Sequence, residues 1–268
     1  MKYCDLHLHS TLSDGLFDIE KIFKTASKEG ISAISITDHD HIPESGYRYY
    51  SDKYRVEYIP GIELTTYYNS YEVHVLGYYI KPTLELTALT EEINESRFKR
   101  VEQICDNLAK DNIVIDREDI LKHKNPGRPH IAKKLIEKGY CKSFNDAFQK
   151  YLGNNSKYIV PKFQVSTEKG IEIIHKSGGL AFLAHPVYLK DDRESLNKII
   201  SFNIDGLEAV HSLHSAVDEE YFRSIAKENN LLVSGGSDCH GGIKNGKILI
   251  GKFKLPYSEL KRIKESIK

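Results

Sequence analysis

Seven short apolar runs, at 3–8, 31–36, 56–64, 73–80, 180–183, 206–210 and 231–234, set the strongest limit on how this chain folds. Most of them alternate with stretches of helical periodicity. Ile19, Ile22, Phe23 and Ala26 recur at helical spacing ahead of Gly30, a residue suited to a helix C-cap. The stretch 167–177 reads as a helix stopped by Gly178-Gly179, and 218–229 reads as another. Such alternation folds into a largely parallel sheet with helices outside it. The middle departs from this pattern, because 89–110 and 129–152 read as helices with no clear strand between them. The expected organisation is therefore a barrel built from 1–94 and 166–268, interrupted by a helical insertion at 95–165. Without the insertion the chain falls short of the roughly 250 residues usual for an eight-unit barrel, so a smaller or distorted one is expected.

Composition excludes several classes. Aromatic residues make up 10% of the chain and regularly spaced Ile and Leu fill a core, which argues against disorder. No apolar run approaches the roughly 20 residues of a membrane helix. The opening Met1-Lys2-Tyr3-Cys4-Asp5 has no signal-peptide pattern. Cys4, Cys105, Cys141 and Cys239 form no Cys-x-x-Cys pair, which points to reduced thiols in a cytoplasmic protein, without a disulfide framework or a thiolate zinc site. No membrane and no obligate protein partner is expected. The formal net charge of zero hides an asymmetry: 95–162 holds 15 Lys and Arg against 9 Asp and Glu, and 120–162 holds 10 against 2. A basic segment in a neutral chain suits an anionic ligand, with a solvated lysine-rich surface as the competing reading.

Polar residues of metal-ligating type fall at the ends of the expected strands. His7-Leu8-His9 closes the first, and residues two apart on a strand share a face. Ser13-Asp14-Gly15 follows, in a stretch that also suits a simple turn. The next strand runs into Asp38-His39-Asp40-His41, four ionisable groups that are costly to bury without partners. Glu63 closes Ile59-Pro60-Gly61-Ile62, as a ligand, a salt-bridged group or an outward residue. His74 sits inside an alternating strand, where a hydrogen-bonded core histidine is the competing reading. His185 ends a strand ahead of Pro186, and Asp238 and His240 repeat the two-apart geometry in a glycine-rich loop. Active sites of parallel barrels gather at the C-terminal strand ends. Six imidazoles and three carboxylates from seven segments therefore point to a multinuclear metal site. Nitrogen and oxygen ligation without thiolate suits Mn, Fe or Zn. Neither a Gly-x-Ser-x-Gly elbow nor a P-loop is present.

His7-Leu8-His9, Ser13-Asp14-Gly15, Thr37-Asp38-His39-Asp40, Gly61-Ile62-Glu63, His74-Val75-Leu76-Gly77, Ala184-His185-Pro186 and Gly236-Ser237-Asp238-Cys239-His240 together resemble the polymerase-and-histidinol-phosphatase (PHP) family, nearly end to end. Within it the chain is similar to stand-alone phosphoesterases of nucleoside 3',5'-bisphosphates and short oligonucleotides. The resemblance implies a distorted, TIM-like seven-stranded β/α barrel and three divalent ions. It implies His7, His9, Glu63 and Asp238 on one ion, Glu63, His74 and His185 on a second, and Asp14, His39 and His240 on the third. Asp14 stands where some relatives carry a third histidine, which argues against the histidinol-phosphatase branch. Such a pocket is net positive and suits a phosphate dianion. Its ions would lower the pKa of a bridging water from about 15.7 towards roughly 7, and the resulting hydroxide would attack the ester. Asp14, His39, Glu63, His185, Asp238 and His240 are thereby the expected catalytic set. Asp38 and Asp40 are expected behind the ligands, orienting imidazoles through the free ring nitrogen, with helix capping as the alternative. Metal-bound water, His41 and Asp40 are all open as donors to the leaving oxygen. The insertion is expected to cover the active site, with Arg128 as a bidentate clamp on a second phosphate and His130 as a further donor, although Gly127-Arg128-Pro129-His130 also fits an ordinary helix start. His123, His175, His211 and His214 read as surface or structural residues. A phosphatase of a non-nucleotide metabolite such as histidinol phosphate, or a non-catalytic metal-stabilised scaffold, are the alternatives to a nucleotide phosphoesterase.

Overall fold

The computed structural model describes residues 1–267 except 70, 125, 242, 245 and 246. It divides into two compact units, Met1–Ala88 with Gln164–Lys268, and Leu89–Phe163.

The first unit is an α/β barrel. Its strands are β1 (Tyr3–Leu8), β2 (Ala33–Ile36), β3 (Glu57–Tyr68), β4 (Tyr71–Tyr78), β5 (Leu180–Leu183), β6 (Gly206–Val210) and β7 (Leu232–Gly235), adjacent in chain order. Two short strands that pair antiparallel, β8 (Ile243–Lys244) and β9 (Lys247–Ile248), follow, then β10 (Leu255–Pro256). Helices α1 (Ile19–Lys28), α2 (Tyr47–Tyr54), α7 (Thr167–Lys176), α8 (Arg193–Ile200), α9 (Ala216–Glu228) and α10 (Tyr257–Glu265) belong to this unit. Their starts follow local chemistry: Asp18, Ser166, Asp192 and Ser215 each accept a hydrogen bond from a backbone N–H in the first turn of the helix they precede. Helix α1 ends before Gly30, which takes φ 71°.

The barrel differs from a uniformly parallel one in two ways. Strands β3 and β4 form an antiparallel hairpin, and β5 is antiparallel to β4. No helix intervenes between β3 and β4, so Glu63 does not close its strand as expected but lies midway along twelve residues. The parallel pairing with β2 ends at Pro60, and the rest of β3 pairs with β4. His74 accordingly lies in the first half of a reversed strand, whose beginning shares a rim with the ends of the parallel strands. The second departure is at the seam. The start of β1 pairs antiparallel with β10. Only its end meets the segment after β7, through a parallel bridge between Leu8 and Cys239 and the bonds His9 N–H to Cys239 O (3.1 Å) and Asp238 N–H to His7 O (2.9 Å). The barrel is thus shut at the ligand-bearing rim, with β10 occupying the β1 edge below. A buried carboxylate braces this seam: Asp5 accepts from the N–H groups of Ser237 (2.8 Å) and Gly251 (2.9 Å).

The second unit comprises most of α3 (Leu84–Ala109), then α4 (Arg117–Leu121), α5 (Arg128–Glu137), α6 (Phe144–Ala147) and a π-turn at Phe148–Leu152. Its apolar core includes Val101, Ile104, Leu108, Ile120, Ile131, Leu135 and Leu152. All four cysteines are buried and unpaired. No helix among the described residues is long and apolar enough to cross a membrane.

Candidate metal centre

The nine predicted ligands meet in the first unit as one continuous set of contacts around Glu63, a buried carboxylate. Its Oε2 lies 3.2 Å from His7 Nε2, 3.1 Å from His9 Nε2 and 3.2 Å from His39 Nδ1. Its Oε1 lies 2.9 Å from His74 Nδ1 and 3.1 Å from His185 Nε2. One carboxylate therefore faces five imidazoles, divided between its two oxygens. His74 reaches it as a diagonal neighbour across the hairpin, since Thr65 is the residue directly opposite His74. Asp238 Oδ1 lies 3.5 Å from His7 Nε2 and 3.2 Å from His9 Nε2. Asp14 Oδ1 stands 3.3 Å from His240 Nε2 and 3.7 Å from His9 Nδ1, and its Oδ2 is 3.9 Å from His39 Nε2.

Local backbone makes this convergence possible. Gly15 and Gly236 pass so close to β1 that an added Cβ would meet His9 O at 2.4 Å or His7 N at 2.3 Å. Asp40, His185 and Asp238 adopt φ of 50°, 28° and 51°, strained values for residues with a Cβ, all at strand ends around the site. Asp38 accepts from Ser10 N–H (2.7 Å), Ser10 Oγ (2.6 Å) and Ser13 Oγ (2.6 Å). Asp40 accepts from Thr65 N–H (2.8 Å) and Thr65 Oγ1 (2.9 Å). These bonds tie down the segments that carry His9, Asp14, His39 and Glu63. Neither aspartate caps a helix: the next one, α2, has Gly46 at its N-cap.

The donor set fits divalent cations. Both ring nitrogens of His9 and Nδ1 of His39 are buried without an aligned hydrogen-bond partner among the described residues, although carboxylate oxygens stand close by. Lone pairs packed beside carboxylates without hydrogen-bond alignment suit a shared cation. Ligand atoms of His9, Asp14, His39 and His240, of His7, His9 and Glu63, and of His39, Glu63 and His74 lie within 4.8 Å of one another in each group. Without metal the cluster binds protons instead. Burial opposes the charge on His9, but Asp238 and Glu63 overcome it and raise its pKa to about 10. Burial likewise opposes charge on His74, where Glu63 raises the pKa to about 9. Burial and the cationic rings of His9 and His74 push His39 down to about 3, despite Glu63. Burial disfavours the charged forms of Glu63 and Asp238, yet the surrounding imidazoles hold both carboxyls well below the usual range.

Motifs, fold and donor set coincide with a described family. The model of the PHP domain matches residues 5–240. The chain belongs to the PHP family. This PHP protein is 30% identical over 249 residues to the 5'-3' exoribonuclease Rnm of Salmonella typhimurium, covering 88% of this chain and 84% of that one. It is 27% identical over 259 residues to the 3',5'-nucleoside bisphosphate phosphatase of Chromobacterium violaceum, covering 92% and 90%. A crystal structure from Bifidobacterium adolescentis, described as that of a metal-dependent phosphoesterase, superposes with a TM-score of 0.81 at 27% identity over 97% of this chain and 94% of the other.

Two residues escaped sequence reasoning. Glu208 on β6 is fully buried beside His7. His211, read above as a surface or structural residue, is buried within the PHP site, its Nε2 3.4 Å from Asp238 Oδ2. The available signal was a lone glutamate in Gly206-Leu207-Glu208-Ala209-Val210, a run otherwise suited to a strand covered on both faces. The remaining predicted residues, Arg128 and His130, lie in the second unit. Arg128 donates from Nη1 to Leu152 O (3.0 Å) and Asn154 Oδ1 (2.8 Å). His130 Nδ1 accepts the Gly127 N–H at 3.2 Å. His175 pairs with Asp205 at 2.7 Å, His214 Nδ1 donates to Ala209 O at 2.7 Å, and His123 packs on His130 with ring centroids 4.1 Å apart.

Proposed function

We propose that this protein hydrolyses a phosphate ester of a small nucleotide, either a nucleoside 3',5'-bisphosphate or the 5' end of a short oligonucleotide. As a PHP protein it is a phosphoester hydrolase. The observation that carries the reading is Glu63, with its two oxygens dividing five imidazoles in a buried cluster. In the proposal His7, His9, Glu63 and Asp238 hold one divalent ion, Glu63, His74 and His185 a second, and Asp14, His39 and His240 a third, as Mn, Fe or Zn. Bound ions of this kind acidify water and neutralise charge on the phosphoryl oxygens.

The chain's own groups do the rest. The buried carboxylates fix the rings, and the strained backbones of His185 and Asp238 aim their side chains. Arg128 and His130 are assigned to a second phosphate. The Gly127 N–H occupies the Nδ1 lone pair of His130, so its neutral ring carries hydrogen on Nε2, the polarity that a phosphate oxygen requires. The basic charge of 120–162 and the activities named for the two relatives support a nucleotide over other esters. Four buried, unpaired thiols support a cytoplasmic setting.

The test is to compare initial rates of manganese-loaded protein on adenosine 3',5'-bisphosphate, a 5'-phosphorylated short RNA and histidinol phosphate. The proposal expects turnover of one or both nucleotide substrates well above that of histidinol phosphate. Preference for histidinol phosphate would replace it with a metabolite phosphatase. Stable metal binding with no turnover of any of the three would replace it with a scaffold module.

A further inference from the structure

Among β1 to β7, every strand except β6 carries or leads directly into at least one of the nine clustered residues. Yet β6 carries Glu208 and leads into His211, both buried, and burying such groups is costly unless they are partnered.

Glu208 is engaged on both sides. Its Oε1 lies 3.0 Å from His7 Nδ1, and its Oε2 accepts the backbone N–H of His185 at 2.8 Å. An ionised carboxylate only accepts, so the ring hydrogen of His7 sits on Nδ1. In the neutral ring the lone pair is then left on Nε2, the atom that faces Glu63 and Asp238. The second bond grips the backbone of His185, the residue with φ 28°.

His211 has the opposite polarity. Its Nδ1 accepts the Leu213 N–H at 3.1 Å, so the neutral ring must carry its hydrogen on Nε2. That atom faces Asp238 Oδ2, while Asp238 Oδ1 faces His7 and His9. Ligand atoms of His7, His211 and Asp238 are close enough to share an ion. The tautomer decides against His211 as a ligand, because its Nε2 carries a hydrogen and offers no lone pair.

We propose that β6 is the orienting strand of one metal subsite: Glu208 sets the tautomer of His7 and holds the backbone of His185, and His211 turns Asp238 so that Oδ1 faces the ion. Both are positioning residues that act through ligands. The inference rests on the metal-dependent reading above and deepens it by naming the groups that govern how tightly an ion is held.

The experiment measures Mn2+ affinity and stoichiometry by chelator competition on the full chain, with thermal unfolding in chelator as the check of folding. In Glu208→Gln the amide oxygen takes the His185 N–H, and the amide nitrogen then faces His7 Nδ1 and drives the ring hydrogen to Nε2. An affinity loss of about 10–100-fold is expected. In a His7→Ala background the same change should shrink to less than about 3-fold, because Glu208 acts largely through that ring. His211→Phe should weaken binding about 10-fold, and His211→Gln, which still offers an N–H, should restore it. Wild-type Mn2+ binding by Glu208→Gln, an undiminished effect in the His7→Ala background, or equal loss in His211→Phe and His211→Gln would overturn the inference. Should Glu208→Gln not fold, the His211 pair decides alone. Failure of the wild-type chain to retain Mn2+ would instead overturn the metal-dependent reading itself.

Discussion

The barrel and the Leu89–Phe163 unit place their charges in opposite ways. In the barrel, Asp5, His7, His9, Asp38, Asp40, Glu63, Glu208 and His211 are buried, whereas Thr90 is the only buried polar residue among those described in the other unit. There the core is aliphatic, and acids and bases pair at the exterior, as in Lys99–Glu95, Arg117–Asp106 and Lys157–Asp111. Exterior pairs of this kind are worth about 0–1 kcal/mol each. The buried cluster, by contrast, carries desolvated charge that only protons or cations can balance. One unit therefore draws its stability from packing, while the other spends stability on a site.

This contrast can be broken experimentally. Leu135→Ala should cost the second unit about 2–5 kcal/mol through a cavity, with Mn2+ stoichiometry unchanged. Unfolding melts read against metal analysis check it, and loss of metal in this variant would break the separation. His185→Ala should do the reverse, lowering phosphatase turnover at least ~100-fold through disturbed metal organisation while leaving that unit's melting intact. Near-normal rates at saturating metal would remove His185 from the site.

A pH series sharpens the comparison. In metal-free protein His9 and His74 bind protons with pKa values raised to about 10 and about 9. The stability they contribute is complete below the unfolded value near 6.5 and is lost as pH rises through 9 to 10. The melting temperature of the chelator-treated barrel should fall over that window, whereas Mn2+ binding should tighten as those protons become easier to displace. A melting temperature that rises between pH 7 and 10 without metal would contradict this. The smallest effect expected is that of Arg128→Ala, a several-fold rise in KM for a substrate with two phosphates and less for one with a single phosphate. Equal changes for both would detach Arg128 from the second phosphate.

The strand periodicity of two made His7 and His9 legible, because residues two apart on a strand must share a face, and Asp238 and His240 repeat that spacing. Reversal of β4 was not legible: the runs at 56–64 and 73–80 carry the same apolar pattern in either direction. The turn between them includes Asn69, whose φ of 52° suits a hairpin, but one asparagine is a weak signal. Glu208 and His211 were missed for a different reason. Strand-end position points to ligands, whereas Glu208 lies within a strand. His211, although directly after β6, reads as a surface or structural histidine because its role depends on a backbone N–H that no spacing rule reveals.

The seam where β10 lies against β1 bears on how the protein is made. Asp5 is tied to Ser237 across 232 positions, and Cys4 Sγ donates to Leu255 O across 251. A ribosome therefore exposes the first two histidines long before it has synthesised the aspartate and histidine that complete their company. Chaperones would meet an open sheet during that interval, and metal capture would be among the last events of maturation.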